Sequence, residues 1–414
     1  MFLTDEEKRM AEGEYGYGPQ IGMKILMAVG KVYEAEKLIP IKHAHVAGTG
    51  FKTFGEVGVA WLEDLVAKGA KVRIPTTLNC IGVDRATDLG FPKEKFDWQM
   101  RIDKAYEDMG CTSLNTCTPY WCGYVPRLGE SVSWSESSAV VYCNSVLGAR
   151  DNREGAQSSF AAGLTGRTPA YGLHLPENRR GQVLIKIIDQ PKGYSEFSAV
   201  GCYVGKTIID KIPVFENLPV PTNEELSTLG AAMACTGGVA MFHAIGYTPE
   251  APTKEAAFGS NTYETIEVTR KEIQEGFQVA TRSTTREVDL VTLGCPQLTI
   301  QQIKVISEKL SGKKVKDGVT LWLQTNAFVK GMSKQLGYSD IIEKAGGILT
   351  QDACTCLSYP ELAGYKTMAC NSTKVSFYTP GSNGLNILCG STDMCIEAAL
   401  TGTFPEEWKQ DEDF

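Results

Sequence analysis

Three of the thirteen cysteines stand apart because of the segments that carry them. Cys295, in TLGCPQ, and Cys354, in QDACTC, directly follow predicted strands, where α/β folds gather their ligand sites. Cys117, in NTCTPY, lies in a polar loop. Three thiolates from distant segments can hold an iron–sulfur cluster with one iron open to substrate, or a zinc ion with an open position. The sequence has no CxxC pair that would favour one of these sites.

The composition excludes several classes of protein. With 43% hydrophobic and 22% charged residues the chain is typical of a globular protein, and its net charge of −8 without a basic block argues against nucleic-acid binding. No apolar run approaches the roughly 20 residues of a membrane helix. The N-terminus MFLTDEEKRM is charged from its fifth residue, unlike a signal peptide. We therefore expect a cytoplasmic protein with reduced thiols and no membrane partner.

Cys122 follows Cys117 by five residues, which suggests a disulfide, a redox pair or a metal site as alternatives to one working thiol. Reduced thiols disfavour the disulfide, and the spacing differs from that of redox and zinc CxxC pairs. Packing in the core is the simplest interpretation of Cys122 and of the remaining cysteines. Cys80, after PTTLN, could line a site, although packing is again the simpler interpretation.

Residues 129–155 form a segment dense in polar side chains, including Glu136, Ser137, Ser138, Arg150 and Arg153. Such groups are costly to bury unless they satisfy one another or a ligand. The two arginines could hold a carboxylate or a phosphate through paired hydrogen bonds. A buried structural arginine network is the alternative.

Further candidates lie near the ends of other predicted strands. Lys374, close to Ser372 in MACNSTKVSFYTPG, could pair with an anionic substrate, or could be an ordinary exposed lysine. His45, in KHAHVAGTG, could face the same cleft, or could be a hydrogen-bonded core histidine. Thr76 and Thr77, in PTTLN, offer hydroxyl donors, but both are also good turn and capping residues.

The elements that must position these residues alternate between strand and helix. VAWLEDLVAKGAKVRIPTTLN predicts a helix, a glycine stop, a strand and a polar loop, and VDLVTLG predicts a buried strand before a helix capped by Thr299. This alternation predicts an α/β fold with parallel sheets. We expect a boundary near residue 285, with an N-terminal α/β region of two possible subdomains at 1–285 and a C-terminal α/β domain at 286–414. Residues 112–180 lack clear periodicity, which predicts functional loops.

Taken together, these segments resemble the large, catalytic subunit of the aconitase X family. The resemblance spans nearly the whole chain in the family's order, and it is carried by KHAHVAGTGFKTFG, KVRIPTTLN, TCTPY, ESVSWSESSAVVYCNSVLGARDNREG, TGRTPAYGLHLPENR, LGCPQLT and NSTKVSFYTPG.

The resemblance implies an aconitase-like dehydratase whose parallel and mixed α/β layers surround a central cleft. Its three iron-binding cysteines match Cys117, Cys295 and Cys354, whereas Cys122 and Cys356 fall where the family does not generally have cysteine. Ala353 replaces a threonine that is frequent in the family, which removes one hydroxyl beside the ligand. The family's fourth, swivelling domain is missing, so the resemblance implies a small-subunit partner that supplies a catalytic serine.

The implied reaction is an iron-dependent loss of water from a small anionic hydroxy acid. The cofactor would be an iron–sulfur cluster of four or two irons, or a single iron, since three cysteines are compatible with each. Lys374, Ser372 and Glu136 are the expected catalytic residues, and His45, Thr76, Thr77, Ser137, Ser138, Arg150 and Arg153 are expected to bind substrate. cis-3-Hydroxy-L-proline is the expected substrate and 5-phosphomevalonate is the alternative. A non-catalytic metal- or iron–sulfur-binding regulatory protein is the alternative of another class.

Overall fold

A computed structural model describes residues 1–411 of the chain. Over this range it contains 15 α-helices and 14 strands, and most strands belong to three separate parallel sheets. The predicted α/β fold with parallel sheets is therefore confirmed. No helix within residues 1–411 combines the length and the apolar character needed to cross a membrane.

The first sheet is small and parallel, with strand order β3-β2-β4, and an antiparallel pair of β1 and β5 lies apart from it. The strands are β1 (Leu38–Pro40), β2 (Ala44–Val46), β3 (Thr76–Leu78), β4 (Ser133–Trp134) and β5 (Arg167–Pro169). The helices of this region are α1 (Asp5–Glu12), α2 (Tyr17–Val32), α3 (Phe51–Ala67), α4 (Lys93–Asp108), α5 (Ser137–Ser145) and α6 (Ala156–Thr165). Three short 3-10 turns also occur here, at Pro119–Cys122, Gly172–His174 and Pro176–Arg179.

Helices α5 and α6 correct the prediction of loops across residues 112–180. Nearly every residue of both helices is buried. A helix that is buried on all sides carries no amphipathic stripe, so the period that usually predicts a helix is absent. Glu136 starts α5 by accepting a hydrogen bond at 2.7 Å from the backbone N–H of Ala139.

The second sheet is parallel with strand order β8-β7-β6-β9. Its elements are β6 (Val183–Ile187), α7 (Gly193–Ile208), β7 (Pro213–Glu216), α8 (Asn223–Gly237), β8 (His243–Ala244), α9 (Lys254–Phe258), β9 (Glu264–Val268) and α10 (Arg270–Ala280). Helices α7 and α8 approach so closely that a Cβ atom added to Gly237 would lie 2.0 Å from the carbonyl oxygen of Gly205. Only glycine fits at such a backbone contact.

The third sheet has five parallel strands in the order β12-β11-β10-β13-β14. Its elements are β10 (Leu290–Leu293), α11 (Ile300–Leu310), β11 (Thr320–Gln324), α12 (Ala327–Gln335), α13 (Tyr338–Ala345), β12 (Gly347–Thr350), β13 (Thr367–Cys370), α14 (Thr373–Asn383), β14 (Asn386–Cys389) and α15 (Thr392–Thr401). The predicted cap is confirmed, because the Thr299 side chain accepts from the backbone N–H of Gln302 at the start of α11. The boundary predicted near residue 285 falls between α10 and β10 and stays a prediction.

Candidate functional site

A cavity of about 390 Å³ brings together segments that are distant in the sequence. Cys117, Cys295 and Cys354 all line it. Cys295 lies two residues after β10 and Cys354 lies four residues after β12. Because parallel strands end at one edge of a sheet, both thiols lie on the ligand-binding edge of the third sheet. Cys117 reaches the cavity from the N-terminal region, through the loop before the 3-10 turn Pro119–Cys122.

The three thiols are close enough to influence one another's ionisation. Burial raises the pKa of the Cys295 thiol well above its ordinary value, the charges of Cys354 and Cys117 raise it further, and Lys374 opposes the rise. A hydrogen bond with Cys356 lowers the pKa of Cys354 to about 7 despite burial. Cys354 therefore supplies a thiolate more readily than Cys295 does.

The donor set fits an iron–sulfur cluster. Thiolates are the ligands of such clusters, each binding its own iron, and a nearby lysine favours their ionised form. A site for a single metal ion is a different case. Among residues 1–411, no three side chains of His, Cys, Asp or Glu form a group that could hold one metal ion.

Two further cysteines, Cys80 and Cys356, also line the cavity. Burial, followed by a hydrogen bond with Cys117, raises the pKa of Cys80 well above the ordinary value. Two features of the sequence point to these cysteines as residues of a site. Cys80 lies just after β3, and Cys356 is separated from Cys354 by one residue in CTC. Cys80 is buried, as the packing interpretation predicts, and it also lies in the cavity wall, which was the alternative.

The polar side of the cavity is built by the start of α5 and the start of α14. The Nζ atom of Lys374 lies 2.5 Å from Oε1 of Glu136 and 3.1 Å from Oγ of Ser138. The hydroxyl of Ser138 donates to Oε2 of Glu136 at 2.6 Å, and Ser137 lines the cavity beside this group. A connection between residues 136 and 374 joins the N-terminal region to the third sheet.

Both members of this ion pair are charged. Burial raises the pKa of Glu136, but attraction to Lys374 and its hydrogen bonds lower the pKa by more, so the net shift is downward. Burial lowers the pKa of Lys374, and the charges of Glu136, Cys295 and Cys117 more than reverse this, so the net shift is upward. The cavity therefore holds a permanent ammonium group beside its thiols.

Ser372 lies at the N-cap of α14 and is 1% exposed. Its hydroxyl makes no conventional hydrogen bond to the described residues. It lies beside the Cys295 thiol and opposes the burial-driven rise of that thiol's pKa.

Five polar side chains of the cavity wall were missed in the sequence: Thr53, Gln297, Gln324, Tyr378 and Ser382. Gln324 ends β11, so a polar residue at the end of a parallel strand was the available signal for it. The backbone N–H of Gln297 points at Sγ of Cys117 at 3.4 Å.

His45, Thr76 and Thr77 lie behind the cavity rather than in its wall. Nδ1 of His45 lies 2.8 Å from Oγ1 of Thr77, which also contacts Nε2 of His43 at 3.2 Å. Burial lowers the pKa of His45 to about 4, against an opposing attraction from Glu136. The hydroxyl of Thr76 donates to the carbonyl oxygen of Ile74. The structure thus places these three residues in the buried framework, and their role in substrate binding stays a prediction.

Arg150 and Arg153 also lie away from the cavity wall. Nη1 of Arg150 approaches the carbonyl oxygen of His174 at 3.5 Å, and Nη1 of Arg153 donates to the carbonyl oxygen of Gly238 at 2.7 Å. These contacts join loops of the N-terminal region and the second sheet. Neither arginine is brought to the thiols, and substrate binding by them stays a prediction.

Thiols and a buried ion pair at the carboxyl edge of parallel strands define an α/β enzyme site. The chain belongs to the aconitase X family. Family models match at residues 1–177 (aconitase X first domain), 181–278 (aconitase X second domain) and 288–401 (aconitase X third domain).

Three known proteins illustrate the relationship. The phosphomevalonate dehydratase large subunit of Methanocaldococcus jannaschii is 40% identical, over 97% of this chain and 100% of the relative. The cis-3-hydroxy-L-proline dehydratase of Pseudomonas aeruginosa is 32% identical, over 96% of this chain and 70% of the relative. The crystal structure of Thermococcus kodakaraensis aconitase X (holo-form) superposes with a TM-score of 0.89 at 39% identity, covering 96% of this chain and 100% of that one. The prediction that the chain is a hydro-lyase of the aconitase X type is confirmed.

Proposed function

We propose that this chain is the large subunit of a two-subunit dehydratase that removes water from a small hydroxy acid. The observation that carries the proposal is one cavity lined by Cys117, Cys295, Cys354 and the Glu136–Lys374 pair. The large-subunit names of several relatives support a small-subunit partner, which would supply the serine base. We place the protein in the cytoplasm, where its thiols stay reduced.

In the proposed site, Cys117, Cys295 and Cys354 would hold an iron–sulfur cluster. When bound, the cluster supplies a Lewis acid that weakens the carbon–oxygen bond of the substrate hydroxyl. Lys374 binds the substrate carboxylate and stabilises the charge that develops there as the neighbouring proton is lost. Glu136 and Ser138 orient the Lys374 ammonium group through their contacts at 2.5 and 3.1 Å. Ser372 supports the site from beside Cys295.

The single cationic side chain of the cavity wall supports cis-3-hydroxy-L-proline as the proposed substrate. This small ring carries one carboxylate, and among the described residues Lys374 is the one cationic side chain in the cavity wall. A phosphorylated substrate would require additional cations because its phosphate must also be neutralised.

5-Phosphomevalonate is the second candidate, and a different observation favours it. Relatives named phosphomevalonate dehydratase large subunit reach 40% identity and are matched over 95% to 100% of their length. The hydroxyproline dehydratases of Pseudomonas aeruginosa and Hypocrea jecorina are 32% identical and are matched over 70% and 69% of their length.

The test is anaerobic co-expression of the chain with its small subunit, followed by assay of both substrates and measurement of iron and sulfide. We expect iron, acid-labile sulfide and dehydration of cis-3-hydroxy-L-proline. Turnover of 5-phosphomevalonate alone would replace the first substrate by the second. An iron-loaded complex inactive on both would contradict the proposed substrates, and an iron-free, colourless complex would contradict the cluster.

A further inference from the structure

The segment that carries Cys354 is held by the N-terminal region as well as by its own strand. After β12 ends at Thr350, residue 353 forms an isolated parallel bridge with Ile81. The N–H of Ile81 donates to the carbonyl oxygen of Asp352 at 3.0 Å, and the N–H of Cys354 donates to the carbonyl oxygen of Ile81 at 2.9 Å. The position of Cys354 therefore depends on contacts more than 250 residues away in the sequence.

The Asp352 side chain is the centre of this contact and is fully buried. Its Oδ2 atom accepts from the backbone N–H of Arg85 at 3.1 Å and from Nε of Arg85 at 3.3 Å. Its Oδ1 atom accepts from Nη2 of Arg85 at 3.1 Å and from Nδ2 of Asn115 at 3.2 Å. A buried carboxylate with a paired guanidinium and a further amide donor is a strong, directional connection.

Asn115 continues the connection toward Cys295. Its carbonyl oxygen accepts from Nε2 of Gln297 at 3.4 Å, and Oε1 of Gln297 accepts from the hydroxyl of Thr116 at 2.6 Å. Asn115 has a backbone φ of 48°, a left-handed conformation that asparagine tolerates better than most residues.

Each of the three side chains in these contacts lies two positions in the sequence from one of the three cysteines. Asp352 lies two residues before Cys354, Asn115 lies two residues before Cys117, and Gln297 lies two residues after Cys295. We propose that Asp352, Asn115 and Gln297 form a brace that holds the three cysteine segments together before any cluster binds, with Asp352 as the main positioning residue. The inference rests on the proposed cluster site. It assigns Asp352 and Asn115 no contact with substrate, because neither lines the cavity and partners behind a ligand act by orienting that ligand.

The test uses the full chain co-purified with its small subunit, stripped of iron and compared with the variant Asp352→Asn. N-ethylmaleimide labelling of each cysteine is followed by peptide mass spectrometry, and iron binding is followed by visible absorbance during anaerobic reconstitution. We expect faster labelling of Cys354 and about a tenfold loss of apparent iron affinity, as is typical when such supporting partners are removed. Labelling and iron affinity equal to those of the parent would overturn the brace.

Asp289→Asn is the matched control. Asp289 also accepts two backbone hydrogen bonds, from Lys366 at 2.9 Å and Thr367 at 3.0 Å, but it lies at the opposite end of the third sheet's strands. Its variant is expected to label and bind iron like the parent. If it matched Asp352→Asn in both measurements, the effect would be general destabilisation and the brace would be rejected.

A second variant covers the case in which Asp352→Asn does not fold, seen as labelling of the buried Cys143. Asn115→Gly removes the amide donor and keeps a residue that tolerates the positive φ. We expect Cys117 and Cys354 to label faster while Cys143 stays protected, and parental labelling of both would overturn the brace. These measurements need no turnover, so failure of the proposed substrates would leave their result intact.

Discussion

The charged residues of the polar segment 129–155 lie in two different parts of the structure. Glu136, at the start of the segment, lies in the cavity wall and pairs with Lys374 at 2.5 Å. Arg150 and Arg153, at its end, lie outside that wall and contact the carbonyl oxygens of His174 and Gly238. Both groups were predicted to serve an anionic substrate, but only the first shares a cavity with the thiols.

The difference shows how the buried charge of Lys374 is neutralised without removing its ammonium group from the cavity. A lysine that is 8% exposed must have an anionic partner, and Glu136 meets this need while the ammonium group still borders the cavity. Each arginine instead contacts one carbonyl oxygen outside the cavity wall, so those contacts connect loops. Position relative to the cavity therefore separates the two groups better than charge does.

We expect the largest difference between the two groups of charged residues from Lys374→Met. The variant removes the donor proposed for the substrate carboxylate, so kcat should fall by about 10²- to 10³-fold. It also leaves Glu136 as an unpaired buried charge, which should lower the free energy of unfolding by about 3–5 kcal/mol. Anaerobic kinetics and urea denaturation measure the two effects.

Lys366→Met serves as its control because Lys366 is exposed just before β13. It should retain parental kcat and stability. Parental kcat in Lys374→Met itself would remove Lys374 from the proposed chemistry.

Glu136→Gln should have the next largest effect. The amide keeps the size of the carboxylate and can still accept from Ala139, but it no longer balances the charge of Lys374. We expect a stability loss of about 1.5–3 kcal/mol, the range for hydrogen bonds to charged groups, and a smaller fall in kcat than for Lys374→Met. A larger fall in kcat than for Lys374→Met would indicate that Glu136 itself acts on the substrate.

The ion pair should also impose a pH dependence on stability. The pKa of Glu136 is lowered, so its contribution is present above about pH 4.3, its ordinary value, and is lost as the pH falls through the lowered value. The pKa of Lys374 is raised, so its contribution is present below about pH 10.4 and is lost as the pH rises further. Lys374 also lowers the pKa of Cys354, which is about 7, so urea denaturation of the parent and of Glu136→Gln/Lys374→Met should differ by a constant free energy between about pH 5 and about pH 6. A difference that changes steadily across this window would contradict the charged pair.

The smallest effect is expected from Arg153→Met. The side chain is exposed and its donor contacts one carbonyl oxygen, so the free energy of unfolding should change by about 0.5 kcal/mol or less. KM should stay within about twofold of the parent, since an exposed contact outside the cavity adds little to substrate binding. A tenfold rise in KM would instead support the predicted contact between Arg153 and the substrate.

Much of the third sheet could be predicted from sequence because its signals are local. The apolar run Leu290–Leu293 and the capping residue Thr299 mark a buried strand and the start of a helix. By contrast, α5 and α6 were missed because their burial on all sides removes the amphipathic period. Cys80 was assigned to packing because its neighbours in the sequence do not reveal its hydrogen bond with Cys117.

The α/β class, the family resemblance and three cysteines at informative positions could be predicted without a structure, since strand ends and motifs are properties of short segments. Which polar groups meet those thiols became visible only in the folded chain. The fold joined residues 136 and 374 across the cavity and turned Arg150 and Arg153 toward backbone carbonyls. Spacing along the chain carries no information on such contacts, because they depend on how separate sheets and loops are placed in space.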